Sequence, residues 1–452
     1  MLNSIRFVIS DQIRIYIILI LIILGGFLGG FLGAFGIFLF SFLYLKNLRL
    51  EFLLIVFLLT FFLGDNISGF FSFANNLRFL LIGFSVVYLF QKGLLKLNFG
   101  WKIGLFTLFG LFVTALFSPL GIIALSRAVA YLLMALILFK LIDLLYRKNP
   151  FEVERLIFSF LLIFIFINSI TIPFRIEGVF YLVGRFKGLM NNPNGLGLLL
   201  MFFYPILDLL QKRNNFLKPN RGSLIVKVVI FVMLFLSGSR TAMLAILIYQ
   251  TSIWLFDSKR LLIPFLLVLP PLLYVVSTAD LIEILSSFGF QEELRLDTLS
   301  TASGRTEVWV VAWEEVLQHP IFGQGMMYDN YFVDGYRSAN IGENAARHWY
   351  GVWNSYLSLL LNVGFIGLAL YLLFLFRCFQ RSTDKKLAFG FLLLILSSAV
   401  TESWMAASMN AFTPLLFLYF AMQQQIIYYP IHEEYIDPLH TTDRVLDGVH
   451  AS

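Results

Sequence analysis

Several cations sit where a membrane chain is expected to be poor in them. Arg78, Arg127, Arg185, Lys187 and Arg240 each fall at or just inside the end of a long apolar run. Arg305, Arg337 and Arg347 follow in the longest polar stretch of the sequence. Ionisable groups at membrane depth are expensive and face a cavity or a partner. A single arginine of this set is explained by snorkelling, or by pairing with a carboxylate such as Glu402. The set as a whole points to a multiply charged anion, because the planar guanidinium fork donates two hydrogen bonds at once to phosphate oxygens. The chain has one cysteine, no His-Glu-x-x-His and no Asp-x-Asp, so no metal or other cofactor is expected.

Two neighbouring stretches suit an anion. Gly184-Arg-Phe-Lys-Gly-Leu-Met-Asn-Asn-Pro-Asn-Gly-Leu-Gly runs into a helix start at Pro193 and Asn194, with glycines that permit close backbone approach. Ser237-Gly-Ser-Arg-Thr opens another helix near Thr241, where free amides attract anions. Ser239 or Thr241 is equally readable as an N-cap.

The elements that must position these residues are apolar helices. The chain is 59% hydrophobic and 13% charged, against about 25% charged for soluble domains. Continuous apolar runs of bilayer length recur, without the alternation of a transmembrane barrel. The fold class is therefore all-α, a polytopic helical membrane protein of about fourteen spans, with twelve or thirteen if short runs are re-entrant. Residues 14–46 read as two short helices turning near Gly25-Gly26, Gly29-Gly30 and Gly33. The remaining spans read as 51–63, 77–90, 103–117, 121–145, 156–172, 194–210, 225–237, 241–256, 261–277, 353–376, 387–400 and 404–424. Membrane helices thus fill 1–276 and 353–424, a large loop occupies 277–352, and a polar tail covers 425–452.

Basic connectors alternate with others. Lys46 and Arg49, Lys92 to Lys102, Arg147 to Arg155, Lys212 to Lys227, Lys259-Arg260 and Arg377 to Lys386 belong in the cytoplasm by the positive-inside rule. That puts both termini inside and the long loop outside, together with the anomalous arginines. Between Ser277 and Val352 the loop holds eleven acidic residues, four arginines and two histidines. Within it, residues 303–318 read as an amphipathic helix capped at Ser303 and stopped by Pro320, lying along the outer interface. His319 at its end reads as structural, and Asp65 in the first outer connector as a turn residue.

In this order, several stretches resemble the O-antigen ligase and O-antigen polymerase superfamily of the Wzy and WaaL type. They are Phe117-Ser-Pro with Arg127, Gly188 to Gly197, Ser237-Gly-Ser-Arg-Thr-Ala, Ser303-Gly-Arg with Trp309, His319-Pro-Ile-Phe-Gly-Gln-Gly, Asn354-Ser-Tyr-Leu with Gly364-Phe-Ile-Gly, and Glu402. The resemblance covers roughly residues 50–420. It implies a GT-C-like fold and a metal-independent, inverting glycosyltransferase at the outer face of the bacterial inner membrane. The implied donor is an oligosaccharide on undecaprenyl pyrophosphate and the acceptor is a glycan hydroxyl; flippase and chain-length regulator proteins are the implied partners, and nucleic acid is not one.

By position, Arg240 and Arg305 would bind the pyrophosphate, with Arg78, Arg127, Arg185 and Lys187 as helpers. Asn354, Tyr356 and Arg347 would position the acceptor and the loop. The family usually carries His-Asn before the Tyr-Leu, the histidine being its proposed base; here Trp353 occupies that place. Trp cannot accept a proton, so the base is His348, Glu343 or Glu402, or the chain has lost the activity. Three functions compete. They are a polymerase of exopolysaccharide or O-antigen repeats, a ligase moving the glycan to lipid A core or protein, and a non-catalytic transporter or lipid-binding relative. A transporter would show paired broken helices and repeat symmetry, neither of which is legible here.

Overall fold

The computed structural model describes residues 13–65, 71–94, 101–213, 221–258, 261, 263–265, 305–339 and 350–425. The described chain is helical apart from one short hairpin and its connectors. In order it forms α1 (Ile13–Tyr44), α2 (Arg49–Gly64), α3 (Ser72–Gln91), α4 (Trp101–Phe117), α5 (Ile122–Lys148) and α6 (Pro150–Thr171). The hairpin strands β1 (Tyr181–Leu182) and β2 (Arg185–Phe186) follow, then α7 (Pro193–Arg213), α8 (Arg221–Ser237) and α9 (Arg240–Leu255). The polar loop contributes α10 (Arg305–Gln318) and α11 (Tyr328–Ala339), and the chain closes with α12 (Ser355–Arg381), α13 (Lys385–Ser398) and α14 (Phe412–Gln423).

Six of these, α1, α3, α5, α6, α7 and α12, are long and apolar enough to cross a membrane. Of the remaining expected spans, 261–277 lies almost wholly outside the described residues, as does the tail from 426 onward. Burial sorts the helices by depth. Every residue of α2 from Glu51 to Leu63 is buried, as is all of α14, so both stand inside the bundle. On α1, by contrast, Leu28, Leu32 and Phe40 point outward as a lipid-facing side chain would.

The basic connectors meet at one end of the bundle. Lys148 Nζ donates to Glu51 Oε1 at 2.7 Å and to the Asn47 carbonyl. Arg213 joins three chain segments there, donating to the Met422 carbonyl at 2.7 Å and the Thr383 hydroxyl at 2.6 Å. Lys212 pairs with Asp384, which also caps α13 through the Leu387 amide. These ties place the 46–49, 147–150, 212–213 and 382–384 connectors on a common face, as the charge alternation requires.

Two helices are interrupted rather than continuous. In α1 the backbone leaves the helical region at Gly30 (φ 61°, ψ −156°), and the two arms pack so closely that a Cβ on Gly33 would lie 2.5 Å from the Gly25 carbonyl oxygen. This is the pair of short helices expected around the glycine cluster. The break in α12, at Gly364 (φ 63°, ψ −170°), differs from the uninterrupted reading of 353–376. It frees the carbonyls of Leu361 and Asn362, which accept from the amides of Gln324 and Gly325 at 2.9 and 2.8 Å. The amides of Phe365 and Ile366 in turn donate to the carbonyls of Pro320 and Ile321. His319-Pro-Ile-Phe-Gly-Gln-Gly thus threads into the gap and completes its hydrogen bonding. Inside a bilayer irregular backbone persists only where protein satisfies it.

The segment 404–424 also departs from its expected helix. Only Phe412–Gln423 is helical; residues 399–411 form an irregular connector. Its side chains replace the missing ladder, with Asn410 Oδ1 accepting from the amides of Phe412 and Thr413 and its Nδ2 donating to the Trp404 carbonyl.

Candidate functional site

The 399–411 connector is the hub of the end opposite the basic connectors. The Ser355 hydroxyl donates to the Glu402 carbonyl at 2.6 Å and receives the amides of Trp404 and Met405. Asn354 N donates to Ser403 Oγ at 2.9 Å, and Thr401 Oγ1 lies 2.7 Å from Thr241 Oγ1 at the start of α9. Tyr131 reaches the Met405 carbonyl from α5. Helix starts far apart in sequence therefore converge on a dozen residues.

Glu402 is 5% exposed and is the carboxylate of this convergence. Arg305, the first residue of α10, brings Nη2 to 3.3 Å from Glu402 Oε1, while its Nη1 donates to the Thr401 carbonyl. Asn194 Nδ2 approaches the same carboxylate at 3.5 Å. Arg185 arrives from β2. Its Nε donates to the Ser237 carbonyl at 2.7 Å, and its Nη2 to Asn194 Oδ1 at 2.7 Å and to the Gly238 carbonyl at 3.2 Å. Burial raises the pKa of Glu402, with Arg305 first and then Arg185 acting against it. Two guanidinium groups thus act on one carboxylate, a ratio that leaves positive charge for a further anion.

Arg240 begins α9 in the turn whose carbonyls hold Arg185, next to the Thr241–Thr401 contact. Arg185 and Arg305, two of the residues singled out by sequence, are brought together at Glu402, and Arg240 stands at the adjoining helix start. The turn is tight against α7: a Cβ on Gly197 would meet Ser239 Cβ at 2.3 Å. That glycine makes room for a protein neighbour. Ser239 occupies the N-cap position of α9 without a side-chain cap bond, and Thr241 turns its hydroxyl to Thr401, so neither acts as the cap the sequence suggested.

Trp353, where the resemblance leads one to expect a histidine, has φ 54°, a left-handed backbone unusual for a bulky residue. Its ring lies 5.4 Å from Arg305 Cζ, a cation–π contact worth about 0.5–2 kcal/mol. Trp309 fastens the same segment by donating Nε1 to the Val352 carbonyl at 2.9 Å. Asn354 caps α12, its Oδ1 accepting from the amides of Tyr356 and Leu357. Tyr356 sends its hydroxyl to the Leu396 carbonyl at 2.7 Å, into the α12–α13 interface. The candidate positioning residues thus shape the helix start.

Residues 225–372 match the family model described as O-antigen ligase, Wzy_C. The similarity to O-antigen ligases covers that segment. No curated protein matches the chain. The matched segment begins inside α8, includes Arg240, Arg305 and Trp353, and ends within α12. The match supports the O-antigen ligase and polymerase superfamily, a family whose activity is glycosyltransferase-like, and the apolar helices are those of a membrane protein. Arg185, Asn194 and Glu402 lie outside the matched segment yet complete the cluster inside it.

The other expected residues lie apart. Lys187 closes the hairpin, donating Nζ to the Gly178 carbonyl at 2.9 Å, with Glu177 as its electrostatic neighbour. Arg78 and Arg127 line a separate cavity with Asp329, Asn330, Ser408 and Asn410. Arg337 pairs with Asp334 in α11. His348, Glu343 and Arg347 lie outside the described residues. The sequence offered no sign of the hairpin or of the connector's reach. Asp65, read as a turn residue, instead takes the Ala411 amide on Oδ2 and the Asn191 amide on its carbonyl.

In α10, Val308, Ala312 and Val316 are buried against α12, as the amphipathic pattern requires. Trp313 lies off that face, 42% exposed.

Proposed function

We propose that this protein transfers glycan from an undecaprenyl-pyrophosphate donor to an acceptor sugar hydroxyl, as a polymerase of the exopolysaccharide or O-antigen type. The observation that carries the reading is the convergence of Arg305 on Glu402 and Thr401 and of Arg185 on the Ser237-Gly238 turn that leads into Arg240, with Thr241 of the same helix start meeting Thr401. As the glycosyl bond breaks, negative charge grows on the bridging oxygen of the pyrophosphate. Preorganised guanidinium groups stabilise it where little water competes. They take the part a divalent metal plays elsewhere, so transfer is expected to proceed in the presence of a chelator. The positive-inside rule assigns the basic end to the cytoplasm, which turns the arginine cluster to the outer face of the inner membrane.

Glu402 serves chiefly to hold Arg305 and Arg185. The acceptor's proton goes to His348 or Glu343, in the stretch that connects α11 to Trp353. A neutral imidazole suits that work near physiological pH. A ligase acting on lipid A core or protein would use the same cluster with another acceptor.

Polymer made in membranes of a deletion strain carrying variants tests the reading. Arg240→Ala and Arg305→Ala are expected to abolish polymer with the protein still at normal membrane level. Unchanged polymer length and yield in both would remove them from the site. His348→Ala is expected to abolish transfer and leave donor binding intact; full activity would move the base to Glu343.

A further inference from the structure

The cavity that holds Arg78 and Arg127 is built differently from the Arg305 cluster. It encloses about 230 Å³ between α3, α5, α11 and the 406–410 stretch of the connector. Arg78 is 7% exposed, and its Nη1 donates to the Met409 carbonyl at 2.5 Å. Asp65 is its nearest carboxylate, at 4.0 Å, too long for a direct hydrogen bond. Its Nε is buried with no partner among the described residues. Leaving a charged donor unmet in this way carries the full desolvation penalty unless something else fills the place. Arg127 lies over the Phe79 ring at 5.1 Å and makes no ion pair with any described residue. Asn330 and Ser408 add amide and hydroxyl groups of the kind that bind sugars, whereas the Asn410 amide is engaged within the connector.

Two carboxylates, Asp65 and Asp329, stand nearby. Burial raises Asp329 and lifts Asp65 to about 6, which leaves Asp65 largely ionised at neutral pH beside Arg78, while Arg127 pairs with neither. The cavity is below the roughly 300–1,000 Å³ of pockets for larger organic ligands, so it fits one small unit. It is also near the first cluster. Ala406 lines it and Glu402 touches Arg305, and four residues of chain span at most about 14 Å. That distance is within the reach of a short oligosaccharide.

We propose that the Arg78/Arg127 cavity is a subsite for a carboxylated sugar of the glycan substrate, separate from the pyrophosphate site. This rests on the glycosyl-transfer reading. It gives Arg78 and Arg127 the task of selecting acidic repeats.

The test measures binding to the full-length protein in nanodiscs, using a hyaluronan tetrasaccharide, neutral cellotetraose and inorganic pyrophosphate as probes. The acidic tetrasaccharide is expected to bind at least tenfold tighter than the neutral one. Arg127→Gln is expected to erase that preference and leave pyrophosphate binding unchanged. Arg305→Gln is expected to weaken pyrophosphate and leave the preference in place. Arg78→Lys, which keeps the charge but loses the Nε donor, is expected to reduce the preference, and reads the same site if Arg127→Gln fails to fold. Equal affinity for the two tetrasaccharides would overturn the proposal. So would loss of pyrophosphate binding in Arg127→Gln, which would make the cavity part of the pyrophosphate site. Unchanged pyrophosphate binding in Arg305→Gln, with the sugar preference intact, would instead count against the reading of the first cluster.

Discussion

Arg305 concentrates the local physics of the site. It holds a buried carboxylate, a backbone carbonyl and an aromatic face at once, through Glu402, Thr401 and Trp353. Removing one member of a buried pair leaves the other uncompensated, at about 3–5 kcal/mol. Glu402→Ala is therefore expected to lower thermal stability, and bound pyrophosphate should restore part of it by replacing the lost negative charge. A thermal shift that pyrophosphate leaves untouched would count against the shared-charge account. Trp353→Ala removes a contact of about 0.5–2 kcal/mol, so donor binding should weaken by roughly two- to thirtyfold without loss of the fold. The sequence exposed the arginines because charge in an apolar chain is conspicuous. It exposed Glu402 as a partner but not the others, since Thr401, Ser237 and Gly238 act through backbone carbonyls that any residue type supplies.

Among the elements, the interrupted helix α12 and the connector at 399–411 position the rest. The Gly-Gln-Gly loop and Gly364 meet backbone to backbone: a Cβ on Gly364 would lie 2.3 Å from the Ile321 carbonyl oxygen. The conformation at Gly364 belongs to a region open essentially to glycine, costing other residues about 1–3 kcal/mol before any clash. Gly364→Ala is thus expected to release the loop, lowering both stability and activity, whereas Gly83→Ala, with open space around it, should alter neither. Proteolysis between α10 and α11 in nanodiscs reads this directly, and equal protection in the two variants would contradict the docking. Spans such as α2, α5 and α9 were legible from apolar run length, to within a few residues. The connector was not, because Trp404, Met405, Ala406 and Ala407 read as apolar helix. What breaks the helix is distant: the Ser355 hydroxyl takes the Trp404 and Met405 amides across 49 and 50 residues of sequence. The gap in α12 has the same character. Paired broken helices with repeat symmetry were the mark expected of a transporter; here the gap in α12 is filled by the protein's own loop.

The whole molecule divides into two ends of opposite character. One gathers the basic connectors through Lys148, Arg213 and Lys212; the other gathers Arg185, Arg240 and Arg305, with the sugar cavity beside them. The hairpin tip belongs to the second end, and Val183 there is 84% exposed. In a Cys378→Ser background, Val183→Cys is expected to react with a membrane-impermeant maleimide added to intact spheroplasts, while Arg147→Cys should react only after lysis. The opposite pattern would invert the chain and move the arginines to the cytoplasm. The account as a whole stands on those arginines forming a diphosphate site. Its most direct test is binding of undecaprenyl pyrophosphate to the nanodisc-embedded protein, wild type against Arg305→Ala and Arg240→Ala. Saturable binding that falls at least tenfold in both variants is the expected result; equal binding in all three would contradict the account.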